Sequence, residues 1–283
     1  MGEEEATGTD KALTLASLHD WLRLVLTYRA PHSDSERILE LIEHLLDRPH
    51  KAHMLLYGEP GTGKEGLARA LHQAMHPGGA APFIKMPTGG RNPEVLALHL
   101  FGTRERRGAI TRAEGGTLFL DEVGTLPREI QARLGPVLRG RFRRNDDEAP
   151  QPCDVTVIGA TDHDLESAVA EGRFRHDLYY RLSRAELTIP PLRERDEDIP
   201  RAALWAGNRL LRENGETIRL VAEGEAVGEG DIVLTDGAGE VLRGHGWVGN
   251  FRELDRLMER LLFLRERQPE LDEALVRGAL ETG

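Results

Sequence analysis

The segment Gly58-Glu59-Pro60-Gly61-Thr62-Gly63-Lys64 follows a short apolar run, His53 to Tyr57, and opens a helical stretch, Lys64 to Met75. Glycines let the backbone curl until successive N–H groups face inward, and the N-terminus of the following helix adds positive potential. Strand, Gly-rich loop and helix in that order are the context of a phosphate-binding loop. Gly58 to Gly63 then form the cradle, and Lys64 reaches the β- and γ-phosphates of a nucleotide. The plainer alternative is a Gly-rich turn with an exposed lysine, against which the flanking strand and helix argue. One position departs from the usual pattern. The Ser or Thr that follows the lysine and touches Mg²⁺ is here Glu65.

A second element of phosphate chemistry comes later. Leu118-Phe119-Leu120-Asp121-Glu122 is an apolar run that ends in two acids. In a parallel sheet it delivers adjacent carboxylates to the C-terminal edge, where ligands collect. Asp121 is then expected in the shell of a Mg²⁺ ion, and Glu122 to polarise an attacking water. Alone, such a pair is as often a solvated turn; beside the loop at Gly58 it predicts ATP and Mg²⁺ as ligands.

Short apolar runs recur at Pro82 to Met86, Val155 to Ala160 and Ala185 to Ile189, separated by helical segments. That alternation predicts an α/β fold, a parallel sheet covered on both faces. After Pro200 the strand pattern mostly stops, and Ala202 to Glu213 and Asn250 to Arg267 have helical spacing, with Leu254, Leu257, Leu261 and Leu264 on one face. The expected organisation is an N-terminal helix and linker over 1–32, an α/β nucleotide-binding domain over 33–197 and a small helical lid over 198–283. Within the lid, about 215–239 is rich in Gly and Glu and is open to two readings, a hairpin or a flexible insertion. Ahead of the loop, leucine-rich segments from Ala12 to Thr27 and from Ile38 to Leu46 predict two further helices.

The chain's 283 residues carry 37 Lys plus Arg against 48 Asp plus Glu, a net charge of −11. Such a chain does not bind nucleic acid through its overall field, although a local basic patch remains open. One cysteine, Cys153, excludes an intramolecular disulfide and a cysteine-built zinc site. No apolar run approaches a membrane span, and Glu3, Glu4 and Glu5 sit where a signal peptide needs positive charge. A cytoplasmic location is expected.

Taken together, these residues resemble the central ATPase domain of bacterial sigma-54 activators, the enhancer-binding proteins, an AAA+ family. That family writes glutamate after the P-loop lysine, as Gly63-Lys64-Glu65 does. Gly115 to Glu122 is similar to its second nucleotide motif, and Gly172 to Leu182 to its arginine-finger segment. Pro190 to Arg195 with Asp198-Ile199 resembles its link into the lid, and Gly246 to Leu254 the lid motif with the second sensor. The resemblance runs from about Ser33 to Leu264. It implies an AAA+ three-layer sandwich with a helical lid, and a ring of identical subunits, usually a hexamer. Arg175 and Arg181 would be fingers reaching a neighbour's nucleotide, and Arg252 the lid's sensor; without the motif, each arginine would read as a surface ion pair.

Three departures bear on function. The family's Gly-Ala-Phe-Thr-Gly-Ala loop, which touches the sigma factor, has no counterpart between Leu100 and Gly116, where Arg104, Arg106 and Arg107 stand at a shortened tip. Those arginines serve solubility or contact an acidic partner or nucleic acid. An asparagine that restrains the catalytic glutamate is replaced by Pro87, which offers no side-chain hydrogen bond. The first-sensor asparagine is Asp162, whose carboxylate repels a γ-phosphate. Too few residues flank the match for a receiver or a helix-turn-helix, so no autonomous DNA-binding domain is expected. Three functions follow: a ring-forming ATPase acting on an unknown partner other than sigma-54 polymerase, a nucleotide-binding scaffold with little turnover, or a sigma-54 activator with a divergent loop.

Overall fold

The computed structural model describes residues 53–76, 78–265 and 268–282. The helices expected over Ala12 to Thr27 and Ile38 to Leu46 lie outside the described residues. The described chain begins with β1 (Met54–Tyr57) and α1 (Lys64–Met75), then β2 (Phe83–Pro87), α2 (Pro93–Phe101), the short α3 (Ala109–Arg112) and β3 (Thr117–Asp121). It continues through α4 (Arg128–Val137), the two-stranded ribbon β4 (Arg141–Phe142) and β5 (Gln151–Pro152), β6 (Thr156–Thr161), α5 (Leu165–Ala170), α6 (His176–Leu182) and β7 (Glu186–Thr188).

Five strands form one sheet in the order β2-β3-β6-β1-β7, and every neighbouring pair is parallel. Side chains on a strand alternate between its two faces, and here both faces are apolar. Met54, Leu56, Phe119, Ile158 and Ala160 pack with Leu67 and Leu71 of α1. Leu55, Leu118, Leu120 and Val157 point the other way, against Leu100 of α2, Leu134 of α4 and Leu178 of α6. This is the three-layer α/β sandwich expected from the alternating runs, and it sets Tyr57, Asp121 and Thr161 at one edge of the sheet. Local signals fix the helix starts: Asn92 caps α2, its side chain accepting from Glu94 N at 2.9 Å, with Pro93 in the first turn.

The second unit has its own core. α7 (Ile199–Glu213), β8 (Leu220–Ala222), β9 (Ile232–Leu234), α8 (Asp236–Arg243), α9 (Asn250–Leu264), β10 (Glu270–Leu271) and α10 (Glu273–Glu281) follow in order. Ile199, Leu211, Leu242, Leu254, Met258, Leu261 and Val276 bury one face of each helix in a core shared with Trp247. Trp247 is fully buried and donates its indole N–H to Leu242 O at 2.8 Å.

Residues 215–239, open between a hairpin and a flexible insertion, form neither. β8 pairs with β9 in parallel, and β10 adds a third parallel strand. The acidic residues there do structural work. Asp231, nearly buried, accepts from Gly228 N at 2.9 Å and from Arg219 N and Nη2, both at 2.8 Å. Those hydrogen bonds, the Gly228 amide first, hold its carboxyl below the usual range. Glu223 accepts from Asp236 N at the start of α8. Among the described residues no helix is long and apolar enough to cross a membrane.

Candidate nucleotide-binding site

The loop from Gly58 to Gly63 leaves the central strand β1 and enters α1. Gly61 and Gly63 have φ of 81° and 95°, the left-handed region that favours glycine. Gly61 also has no room for a side chain, since a Cβ there would stand 2.3 Å from Gly249 O. Thr62 is buried and donates its hydroxyl to Glu59 O at 2.9 Å. Lys64 folds back over its own loop, donating to Gly58 O at 2.5 Å and Glu59 O at 2.9 Å. Burial lowers its pKa, while the carboxylates of Asp162 and Asp121 work in the opposite direction.

Asp121 ends β3, and Glu122 follows with φ 63°, a left-handed turn in a residue other than glycine. That turn is fastened by two threonines. Thr88, almost fully buried, places its hydroxyl 2.8 Å from the carbonyls of Asp121 and of Glu122. Thr125 donates its backbone N–H to Glu122 O at 2.9 Å and its hydroxyl at 2.8 Å. The Glu122 carboxylate lies so close over Gly89 that a Cβ there would collide with Oε2. Pro87 itself closes β2, an edge strand, where the missing N–H breaks no ladder.

Lys64, Glu65, Asp121, Glu122, Asp162 and Arg252 line one cleft of about 240 Å³, together with Pro60, Gly61 and Gly63. Gly58, Glu59 and Thr62 belong to the same loop but are not on its wall. Thr161, Phe251 and Asp255 also line it and had no role assigned from sequence. Among the described residues no three His, Cys, Asp or Glu side chains converge on a metal position. Mg²⁺ with a nucleotide is commonly held by one or two carboxylates, phosphates and water, so the donor set led by Asp121 fits that ion.

Glu65, in place of the hydroxyl residue, is held by cations. Arg69 Nη2 lies 3.1 Å from Oε1 and Lys85 Nζ 2.5 Å from Oε2. Burial pushes the Glu65 carboxyl up, but the hydrogen bond and charge of Lys85 and Arg69 outweigh it, and the net pKa is lowered.

The lid and the link into it close on the loop through Arg193, Asn250 and Phe251, which lie in the two segments that resemble the family's link and lid motifs but had no individual role assigned from sequence. Arg193 grips Glu59 with two hydrogen bonds of 2.7 and 2.6 Å and brings its carboxyl to about 2. Asn250 is fully buried with φ 52°. Its Oδ1 accepts from Leu192 N at 2.7 Å, and its Nδ2 donates to Pro60 O at 3.1 Å and to Glu59 Oε2 at 3.3 Å. Phe251 N donates to Gly61 O at 3.0 Å. Arg252 is carried into the cleft by the same first turn of α9.

Arg175 and Arg181 lie at α6 and do not line this cleft. Arg175 pairs with Asp177, Nε to Oδ1 at 2.9 Å. Between α2 and α3 the chain makes one tight turn, Thr103 N donating to Arg106 O at 2.8 Å. Arg104 N donates to both carboxylate oxygens of Asp146 at 3.0 Å, which ties the turn to the β4–β5 ribbon.

A family model described as the Sigma-54 interaction domain matches residues 30–188. The chain is 41% identical over 232 residues to the acetoin catabolism regulatory protein of Cupriavidus necator, covering 78% of this chain and 32% of that protein. It is 35% identical over 275 residues to the nitrogen assimilation regulatory protein NtrX of Azorhizobium caulinodans, covering 93% and 58%. The chain thus spans only part of the length of these curated relatives. The crystal structure of NtrX from Brucella abortus in complex with ATP is similar with a TM-score of 0.72 at 30% identity, over 92% of this chain and 57% of that one. A mutant RuvB of Thermotoga maritima, at 18% identity and TM-score 0.57 over 88% of this chain and 68% of that one, shares the fold.

Proposed function

Since the chain belongs to the Sigma-54 interaction domain family of AAA+ P-loop proteins, we propose that it binds Mg-ATP in the cleft at Lys64 and hydrolyses it as one subunit of a ring. The observation that carries this reading is the convergence of Lys64 from α1, Asp121 and Glu122 from the end of β3, and Arg252 from α9 on a single cleft. Lys64 leaves the carbonyls of Gly58 and Glu59 for the β- and γ-phosphates, exchanging two neutral acceptors for charged ones. Mg²⁺, when bound, neutralises phosphate charge, and Asp121 holds its place. Glu122 orients a water on the far side of the γ-phosphate and takes its proton. Arg252 meets the phosphates from the lid, and Arg175 and Arg181 of a neighbouring subunit complete the charge stabilisation. The absence of these two arginines from the chain's own cleft agrees with a role in trans.

The ring's partner is a protein other than the sigma-54 holoenzyme. What supports this is the tight turn from Thr103 to Arg106, which stands where the family resemblance implies the sigma-contacting loop. A second reading, a nucleotide-gated scaffold with little turnover, is favoured by Asp162, a carboxylate on the cleft wall. Steady-state ATP hydrolysis across a protein concentration series, with Lys64→Ala as the blank, separates the two. Turnover per subunit that rises with concentration supports the ring. Tight binding without turnover at any concentration supports the scaffold, and ATP affinity retained by Lys64→Ala refutes the P-loop assignment itself.

A further inference from the structure

Lys85 stands out among the charges near the cleft because no step of the proposed reaction uses it. It lies on the edge strand β2, opposite Phe119 of β3 in the register, yet its ammonium reaches past the strand toward the C-terminal edge. There it meets Glu65 Oε2 at 2.5 Å and stands 3.9 Å from Asp121 Oδ2. The two carboxylates come from different elements, α1 and β3. The Lys85 side chain is 39% exposed, so water was open to it as an alternative to both contacts. Holding a long, flexible side chain against two carboxylates costs rotamer entropy that the ion pairs must offset.

The arrangement matters because of the charge around it. Glu65, Asp121, Glu122, Asp162 and Asp255 line the cleft against Lys64 and Arg252, and a nucleotide adds further negative charge. We propose that Lys85 is a built-in counter-cation of the nucleotide site, a positioning residue whose ammonium offsets Glu65 and Asp121 and so makes nucleotide binding less dependent on Mg²⁺. The proposal rests on the reading of this cleft as the nucleotide site. The physical basis is linkage. The ratio of nucleotide Kd without Mg²⁺ to Kd with it measures the coupling between ion and nucleotide. A resident cation beside the carboxylates reduces the repulsion that the ion would otherwise relieve, and so reduces that ratio.

The test uses the whole chain and a fluorescent ADP analogue, so that no turnover intervenes, with Kd read by anisotropy in Mg²⁺ and in EDTA. Lys85→Met keeps the length of the stem and removes the charge; Lys85→Gln is a second neutral substitution should the first be poorly folded. Either should raise the ratio about fivefold, the upper end for a partly exposed ion pair. Lys85→Arg keeps the charge and should leave the ratio within about twofold of the parent's. An unchanged ratio in both neutral variants, even with weaker binding overall, overturns the proposal and leaves the nucleotide site standing. Failure of the parent chain to bind the analogue under either condition overturns the proposal and the site together.

Discussion

Asn250→Ala should destabilise the chain by about 2–4 kcal/mol, a sum of two separable parts. The first is hydrogen bonding. Asn250 is fully buried, and its Oδ1 is 2.7 Å from Leu192 N. Alanine leaves that N–H without its acceptor and strips Pro60 O of a donor at 3.1 Å; an unpaired buried group costs about 1–3 kcal/mol. The second part is backbone. Asn250 has φ 52°, a conformation that asparagine tolerates and that costs most other residues about 1 kcal/mol. Asn250→Gly loses the same hydrogen bonds but not the backbone preference, so it should be about 1 kcal/mol less damaging than Asn250→Ala. Urea unfolding followed by circular dichroism measures both, and the same samples report nucleotide affinity, which should fall because Pro60 O loses its tie to the lid while Glu59 keeps only Arg193. A loss below about 0.5 kcal/mol for Asn250→Ala would refute the hydrogen-bond argument, that being the scale of an ordinary surface substitution. Equal losses for alanine and glycine would refute the backbone part alone.

Glu122→Gln should keep nucleotide affinity and lower turnover by about a hundredfold or more, in line with removal of a general base; single-turnover kinetics with undiminished rate would remove Glu122 from that role. Arg181→Ala should lower turnover by about a thousandfold in the assembled state. Mixing it with Lys64→Ala subunits, which retain Arg181, should restore part of the activity, and no restoration would count against a finger acting in trans. Asp198 is nearly buried beside Arg195, and burial raises its carboxyl to about 6 from 3.8. With the folded value above the unfolded one, the folded state binds the extra proton between these pH values. Stability relative to Asp198→Asn should therefore fall as pH rises from about 4 to about 6 and level off above, as chemical denaturation at each pH would read; a rise over that window would reverse the assignment.

The sheet and the cleft's main residues were legible because their signals are local. Alternating apolar runs give strands buried on both faces, and a Gly-rich loop between strand and helix needs only adjacent residues to be recognised. Lys64, Asp121 and Glu122 meet at the cleft as their local motifs imply, and Asp162 and Arg252, marked only by the family resemblance, join them there. The missed features are tertiary. Arg193 and Glu59 are far apart in sequence, one in the link to the lid and the other in the phosphate loop, and neither motif says that the two meet. Lys85 sits on a half-exposed edge strand, where a lysine needs no explanation. In the lid, three strands of two or three residues are too short for a period of two to register against Gly and Glu. Asp231 in that Gly- and Glu-rich stretch carries no pattern of its own, yet it is an acceptor for three donors.

Pro87 marks where sequence reasoning needs the most care. Replacing asparagine by proline removes a side-chain hydrogen bond, and the direct inference is a looser catalytic glutamate. The structure separates two things that inference joins, the glutamate's carboxylate and its main chain. Thr88, the next residue, shares its one hydroxyl proton between the carbonyls of Asp121 and Glu122, and Thr125 also donates to Glu122 O. Gly89 lets the carboxylate lie against the backbone where any side chain would displace it. The left-handed turn at Glu122 is thus over-determined by its neighbours, as a strained residue must be if it is to persist. A missing restraint on one atom is therefore no measure of how firmly the residue is held, and the effect of position 87 on turnover has to be read at the carboxylate alone.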